Sequence, residues 1–319
     1  MLKRTLYSIY HLIFVMLIIA VALQACQLDN SSPTASTPTV AVSPIASLTQ
    51  TSTPTANPSP TIHPATATVL PITSTPSPGL GQQIDQVLID GVEWYVVIEP
   101  INGERLYARN TEESFAPASM IKIPTALVVL KILEFRGDTV EDIKNYGIGR
   151  NFADLVEAMV IRSEEQATES LEYFARGENR LRNYLDWWGL KHTTFDPRRS
   201  TVEDLLLSLK LLNTQEALNK EFSDYLLELM STYTENDEIL LGAMLAELPQ
   251  CTFYNKRGTL LNPTIVSDMG ILKCGDQSWY LVIAGTPSIN SSATFDDIQQ
   301  SIERFALVIA NYIQTQVED

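Results

Sequence analysis

Between Gln27 and Leu80, 31 of 54 residues are serine, threonine or proline, Asp29 is the one charged side chain, and no Phe, Tyr or Trp is present. Such a stretch buries too little apolar surface to offset the entropy of ordering it, and its frequent prolines keep it extended. It therefore fixes where a core can form. The globular part of the chain is Gly81 to Asp319, about 240 residues, and residues 27–80 read as a tether.

Ahead of the tether, Lys3 and Arg4 precede an uncharged apolar run from Leu12 to Leu23, the shape of a secretory signal. The run ends in Leu23-Gln24-Ala25-Cys26, which resembles a bacterial lipobox. On that reading residues 1–26 are a lipoprotein-type signal segment and Cys26 carries the lipid. The alternative is an uncleaved anchor, because Leu6 to Ala25 nearly reaches spanning length. Either reading expects the domain to be extracytoplasmic and held at the bacterial cell membrane.

The chain has a formal charge of −16, and its first 80 residues contribute only Lys3, Arg4 and Asp29, a net +1, so the domain carries −17. That balance excludes a basic footprint for nucleic acid. There are three histidines, His11, His63 and His192, and only His192 lies in the domain. One histidine makes no two-histidine zinc site, so no metal or other cofactor is implied. Histidine-based general base chemistry would have to rest on His192 alone, so hydrolytic chemistry is expected to use another base.

The coarse pattern is strands, then helices, then strands. Val92 to Glu99 and Arg105 to Arg109 flank Asn102-Gly103, a hairpin signal. Helices are expected over Ser119–Glu134, Phe152–Arg162, Gln166–Phe174, Arg180–Trp188, Gln215–Ser231 and Asp237–Leu248. Ser200-Thr201-Val202-Glu203 reads as a capping box that opens another helix through Leu212. Strands follow at Cys251–Thr259, Ile265–Cys274 and Trp279–Ala284, then a helix from Asp296 to Gln316. This predicts an α+β fold, an antiparallel sheet formed from both chain ends packed against a helical block.

Ser119-Met120-Ile121-Lys122 is a Ser-x-x-Lys spacing at an expected helix start. Residues three apart share a helix face, so the Lys122 amine reaches the Ser119 hydroxyl. A buried lysine loses its proton more readily and becomes a base. The apolar flanks Pro117-Ala118 and Ile123-Pro124-Thr125-Ala126-Leu127 speak against a merely solvated lysine.

With that box in view, the domain resembles class A β-lactamases and their penicillin-binding relatives. Phe115 to Pro124 resembles the nucleophile box, Met159 to Ala167 the Ser-Asp-Asn box, and Tyr254 to Thr259 the Lys-Thr-Gly strand, in family order. The resemblance implies a Ser119 nucleophile with Lys122 as proton acceptor, and Ser163 as a relay toward the leaving nitrogen. It further implies Lys256 beside Ser163 and the substrate carboxylate, and an oxyanion hole from the Ser119 and Thr259 amides. Substrates would be β-lactams or peptidoglycan-like peptides.

Three departures qualify this. The Ser-Asp-Asn box reads Ser163-Glu164-Glu165, so a carboxylate replaces a donor-bearing amide. Glu165 is expected to contact substrate, pair with Lys122 and weaken it as a base. The Lys-Thr-Gly box reads Lys256-Arg257-Gly258. Gly258 keeps its place in the substrate-binding strand, and Arg257 would take the substrate carboxylate only by turning inward, against strand alternation. Finally, the segment after Trp188-Gly189-Leu190 is too short for the loop that carries the family's deacylating glutamate. Glu203, Asp196 and His192 are the neighbouring candidates, with Glu203 read first as a cap. An acyl-enzyme would then persist. The same departures also fit a non-catalytic binding or scaffold lipoprotein of this fold.

Cys251 and Cys274 lie symmetrically about the Asn262–Pro263 turn, which sets them opposite each other in an antiparallel pair. They form either a disulfide or two small core neighbours. Trp187-Trp188 are expected in the core or along the shortened loop.

Overall fold

The computed structural model describes residues 79–232 and 239–317. The signal segment, Cys26 and the tether up to Pro78 lie outside the described residues. The chain runs through α1 (Leu80–Val87), β1 (Val92–Pro100), β2 (Tyr107–Arg109), a 3₁₀ turn (Ala118–Ile121), α2 (Lys122–Phe135) and α3 (Val140–Ile143). Next come a small ribbon of β3 (Gly147–Ile148) and β4 (Arg150–Asn151), then α4 (Phe152–Val160), α5 (Glu165–Phe174) and α6 (Glu178–Trp188). A second ribbon, β5 (Thr194–Phe195) and β6 (Arg198–Arg199), leads to α7 (Val202–Asn213) and α8 (Lys220–Met230). A 3₁₀ stretch (Leu240–Ala246), β7 (Thr252–Leu261), β8 (Thr264–Cys274), β9 (Gln277–Pro287) and α9 (Phe295–Val317) complete the domain.

The five long strands form one antiparallel sheet in the order β2-β1-β9-β8-β7, so both chain ends build it, as expected. Strand alternation gives the sheet two apolar faces. Tyr95, Val97, Met269, Ile271, Tyr280 and Val282 pack into the helical block. Trp94, Val96, Ile98, Val266, Leu272, Leu281 and Ile283 form a second core with α1, α9 and the 3₁₀ stretch. α2 runs through the middle of the block with 11 of its 14 residues buried, so it shows no polar stripe. Pro124 sits in its first turn, where no intrahelical N–H is lost.

Local details depart from the sequence expectations for identifiable reasons. α1 is an addition to the expected elements; its Leu80 and Ile84 are buried under α9. The cap of α7 is Thr201, which accepts from Asp204 N, so the expected box is shifted by one residue. Gln215 adopts a left-handed φ of 61°, which delays the next helix until Asn219 caps it by accepting from Phe222 N. The described part of Asp237–Leu248 is 3₁₀ rather than α. Consecutive helix positions point about 100° apart, so the two tryptophans cannot both face the core. Trp188 packs against the helical core, while Trp187 is 64% exposed beside the equally exposed Phe135, with the ring centroids 6.5 Å apart. Among the described residues no helix is long and apolar enough to cross a membrane.

The β7–β8 register pairs Thr252 with Lys273, and one step further Cys251 and Cys274 form a disulfide. It closes a loop with a sequence separation of 23, a constraint on the unfolded chain worth about 3 kcal/mol. Replacing both cysteines by serine is expected to lower stability by about that amount, read as a fall in the urea midpoint with a somewhat steeper slope, because the unbridged unfolded chain is less compact and exposes more surface. An unchanged midpoint would show that the bridge does not restrain the unfolded chain.

Candidate active site

The site lies where α2, the α4–α5 turn and the edge strand β7 meet. Phe115 is locked first, by paired backbone bonds with Ser200 (2.9 and 3.0 Å) and by its ring stacked on Tyr95 at 4.6 Å. The chain then turns through Ala118, a non-glycine residue at φ 49°, into the 3₁₀ turn that carries Ser119. Such a conformation costs on the order of 1–3 kcal/mol and persists because its surroundings fix it. Ser119 thus sits one turn ahead of the α-helix proper, not inside it.

Lys122 opens α2 and is 1% exposed. Its Nζ donates to Ser119 Oγ at 3.1 Å and to the Ser163 carbonyl at 2.7 Å, and lies 3.2 Å from Glu165 Oε2. Burial pulls the lysine pKa down. The charge and hydrogen bond of Glu165 oppose this, Arg198 adds to the fall and Glu172 opposes it; the net direction is down. The expected Lys122–Glu165 pair is therefore present, but burial outweighs its effect on the amine.

Ser163, in the turn between α4 and α5, is also left-handed at φ 53°. Lys256 Nζ donates to its Oγ, and Lys256 is 5% exposed on β7. Glu164 turns to the surface and pairs with Arg150 at 2.7 Å. Gly258 permits the closest approach in the site. A Cβ there would fall 2.7 Å from Ser119 N, 2.8 Å from Ser267 Oγ and 3.0 Å from Ala118 Cβ. Thr259 follows on the same strand, in register with Val266. Ser119, Lys122, Ser163, Glu165, Lys256 and Gly258 are thus brought together.

Arg257 is not part of this group. The pleat turns it to the opposite face of the sheet, across from Asp268. Asp268 is fully buried there, accepts from Asn255 Nδ2 (2.9 Å) and Leu241 N (3.2 Å), and feels the Arg257 charge. Burial pushes the Asp268 carboxyl up to about 7 against these partners. Strand alternation therefore holds at this position and Arg257 does not turn inward, so its assignment as a substrate-binding residue is corrected.

The shortened loop supplies a cation, not a glutamate. Arg198 of β6 pairs through Nη1 with Glu165 Oε1 and through Nη2 with Glu172 Oε1 at 3.4 Å. Burial raises the Glu165 carboxyl, but Lys122 and Arg198 together outweigh it and hold it below its usual range. Burial and the neighbouring Glu165 charge raise Glu172, with Arg198 opposing. The remaining candidate carboxylates lie elsewhere. Glu203 is held by Arg105 at 2.6 and 3.0 Å, and Asp196 is exposed. Asp204 accepts from His192 N at 2.7 Å and Thr193 Oγ1 at 2.8 Å, which ties the loop to α7. Arg198 and Glu172 are absent from the residues that the sequence motifs single out. The seven-residue spacing from Glu165 puts Glu172 on the same helix face, but nothing local points to Arg198. Among the described residues no group of three or more His, Cys, Asp or Glu side chains is placed to hold a metal ion.

A sequence model described as the beta-lactamase enzyme family matches residues 79–313. No curated protein sequence matches the chain. Among solved structures, PBP-A is similar over 74% of this chain and 96% of its own, at 18% identity and a TM-score of 0.62. A PBP-A mutant solved as an acyl-enzyme complex with penicillin G covers 75% and 97%, at the same identity and score. The TLA-3 extended-spectrum beta-lactamase aligns over 74% of this chain and 98% of its own, with 19% identity and a TM-score of 0.62. A representative class A beta-lactamase from Bacteroides cellulosilyticus DSM 14838 gives 18% identity and a TM-score of 0.60, over 74% and 99%. Identities this low speak for the fold alone. The family match spans nearly the whole domain, so the chain belongs to the beta-lactamase enzyme family.

Proposed function

We propose that the domain is a serine hydrolase that forms an acyl-enzyme on Ser119 with β-lactams or related peptidoglycan-type amides and releases it slowly. The observation that carries this reading is the contact of Ser119 Oγ with the buried Lys122 amine, beside the Lys256–Ser163 pair. In its neutral form Lys122 takes the Ser119 proton as Oγ attacks the amide carbonyl. Negative charge grows on the carbonyl oxygen, where the Ser119 and Thr259 amides would receive it. Ser163 passes a proton to the departing nitrogen, and Lys256 stabilises that relay and the substrate carboxylate. Deacylation needs a base for water. The carboxylates nearest Lys122, Glu165 and Glu172, are both tied to Arg198, which supports slow release. Membrane attachment through Cys26 and extension on the 27–80 tether are part of the same proposal.

The test is a time course of intact mass after mixing the purified protein with penicillin G. The expected result is a single adduct of penicillin mass, mapped to the Ser119 peptide, that decays over minutes or longer. No adduct at any concentration would sink the enzymatic reading for this substrate class. That outcome would favour the second reading, a non-catalytic lipoprotein of the same fold, which the carboxylate of Glu165 against Lys122 favours.

A further inference from the structure

We propose that Arg198 is a positioning residue that holds Glu165 between two cations and thereby sets how readily Lys122 accepts a proton from Ser119. This rests on the acyl-transfer reading above and adds a residue to it. The observations are geometric. Glu165 is split, with Oε2 at 3.2 Å from Lys122 and Oε1 on the Arg198 guanidinium, while the other arm of that guanidinium reaches Glu172 at 3.4 Å. The guanidinium fork therefore bridges two carboxylates seven residues apart on one face of α5. It fixes the Glu165 side chain, half-exposed at 49%, in one orientation.

An acceptor-only carboxylate beside Lys122 stabilises the ammonium form and opposes catalysis. Arg198 counters this in two ways. It engages one oxygen of Glu165, so that carboxylate is shared and not given wholly to Lys122. Its own charge also lies close enough to Lys122 to favour the neutral amine. The charged and titratable groups around Lys122 are Ser119 on the 3₁₀ turn, Glu165 and Glu172 on α5, Arg198 on β6, and Lys256 of β7 through Ser163. Within this set only Arg198 comes from the shortened loop, which gives that loop a role without its usual glutamate.

The experiment compares wild type, Arg198→Gln, Arg198→Lys, Glu165→Gln and Arg198→Gln/Glu165→Gln, each checked for an intact thermal transition. Two readouts are taken. One is the pH profile of Ser119 acylation by penicillin G. The other is the titration of Lys122 followed by NMR of ¹³C-labelled lysine, with the resonance assigned by Lys122→Ala, which needs no acylation. Arg198→Gln is expected to raise the midpoint of both by about one pH unit. Arg198→Lys keeps a charge but not the fork and should fall between. In the Glu165→Gln background the effect of Arg198→Gln should shrink to less than half. A Lys122 titration that does not move in Arg198→Gln, or moves equally with and without Glu165, would overturn the proposal. If wild type never acylates, the chemistry proposed for Ser119 fails, and the lysine titration still decides the role of Arg198.

Discussion

In Ser119→Ala, acylation by penicillin G is expected to fall by about 10⁴-fold or more, to the point where no adduct is seen by intact mass. The side chain is small and half-buried, and its hydrogen bond is the one from Lys122 at 3.1 Å. Alanine therefore preserves the 3₁₀ turn, whose backbone is fixed by the Phe115–Ser200 pairing before it and by α2 after it. Thermal stability should change little, and that separates loss of the nucleophile from loss of the fold. Lys122→Ala makes a useful contrast. It removes the base and should slow acylation by about 10²–10⁴-fold while leaving the nucleophile in place. It also leaves Glu165 with Arg198 alone and empties a buried position in the first turn of α2. Some loss of stability is expected there but not in Ser119→Ala. An adduct in Ser119→Ala at the wild-type rate would place the acylated residue elsewhere.

The parts of this site that are legible in the sequence are those set by local spacing. Ser119 and Lys122 meet because three residues make nearly one turn, whether that turn is 3₁₀ or α. Cys251 and Cys274 meet because an antiparallel hairpin is symmetric about its turn. Strand alternation by itself sets Arg257 on the face opposite Lys256. The hidden parts depend on contacts between distant segments. Arg198 reaches Glu165 only because the 194–199 ribbon folds back over α5, and no propensity encodes that approach. Glu203 has the spacing of half a capping box, but Arg105, 98 residues earlier in the chain, claims it, and the cap passes to Thr201. The strained φ values at Ala118 and Ser163 are equally illegible, since neither residue type favours the left-handed region. Both flank the reacting groups, where surrounding structure imposes geometry that local preference would refuse.

The same dependence on close approach makes Gly258→Ala the second large effect. A methyl group at this position meets Ser119 N at 2.7 Å and Ala118 Cβ at 3.0 Å. Neither is the far end of a flexible side chain. Ser119 N is backbone at the start of the buried turn, and Ala118 is already held at a strained φ. Ser267 Oγ, 2.8 Å from the added methyl, donates to Gly258 O and cannot rotate away without losing that bond. The clash is relieved most directly by moving β7 outward, which a strand at the sheet edge can do. Overpacking of this kind costs about 1–3 kcal/mol, so a modest fall in the thermal midpoint is expected. The larger consequence falls on the chemistry. An outward shift carries Thr259 away from Ser119 and separates the two amides assigned to the oxyanion, a loss worth about 10²–10³-fold in acylation rate. It also draws Lys256 off Ser163. The rate should therefore fall far more than stability, because the clash falls on the Ser119 backbone and on the strand that carries Thr259 and Lys256. Equal rates in Gly258→Ala and wild type would show that β7 need not press against the Ser119 amide for acylation, and would remove Thr259 from the oxyanion assignment.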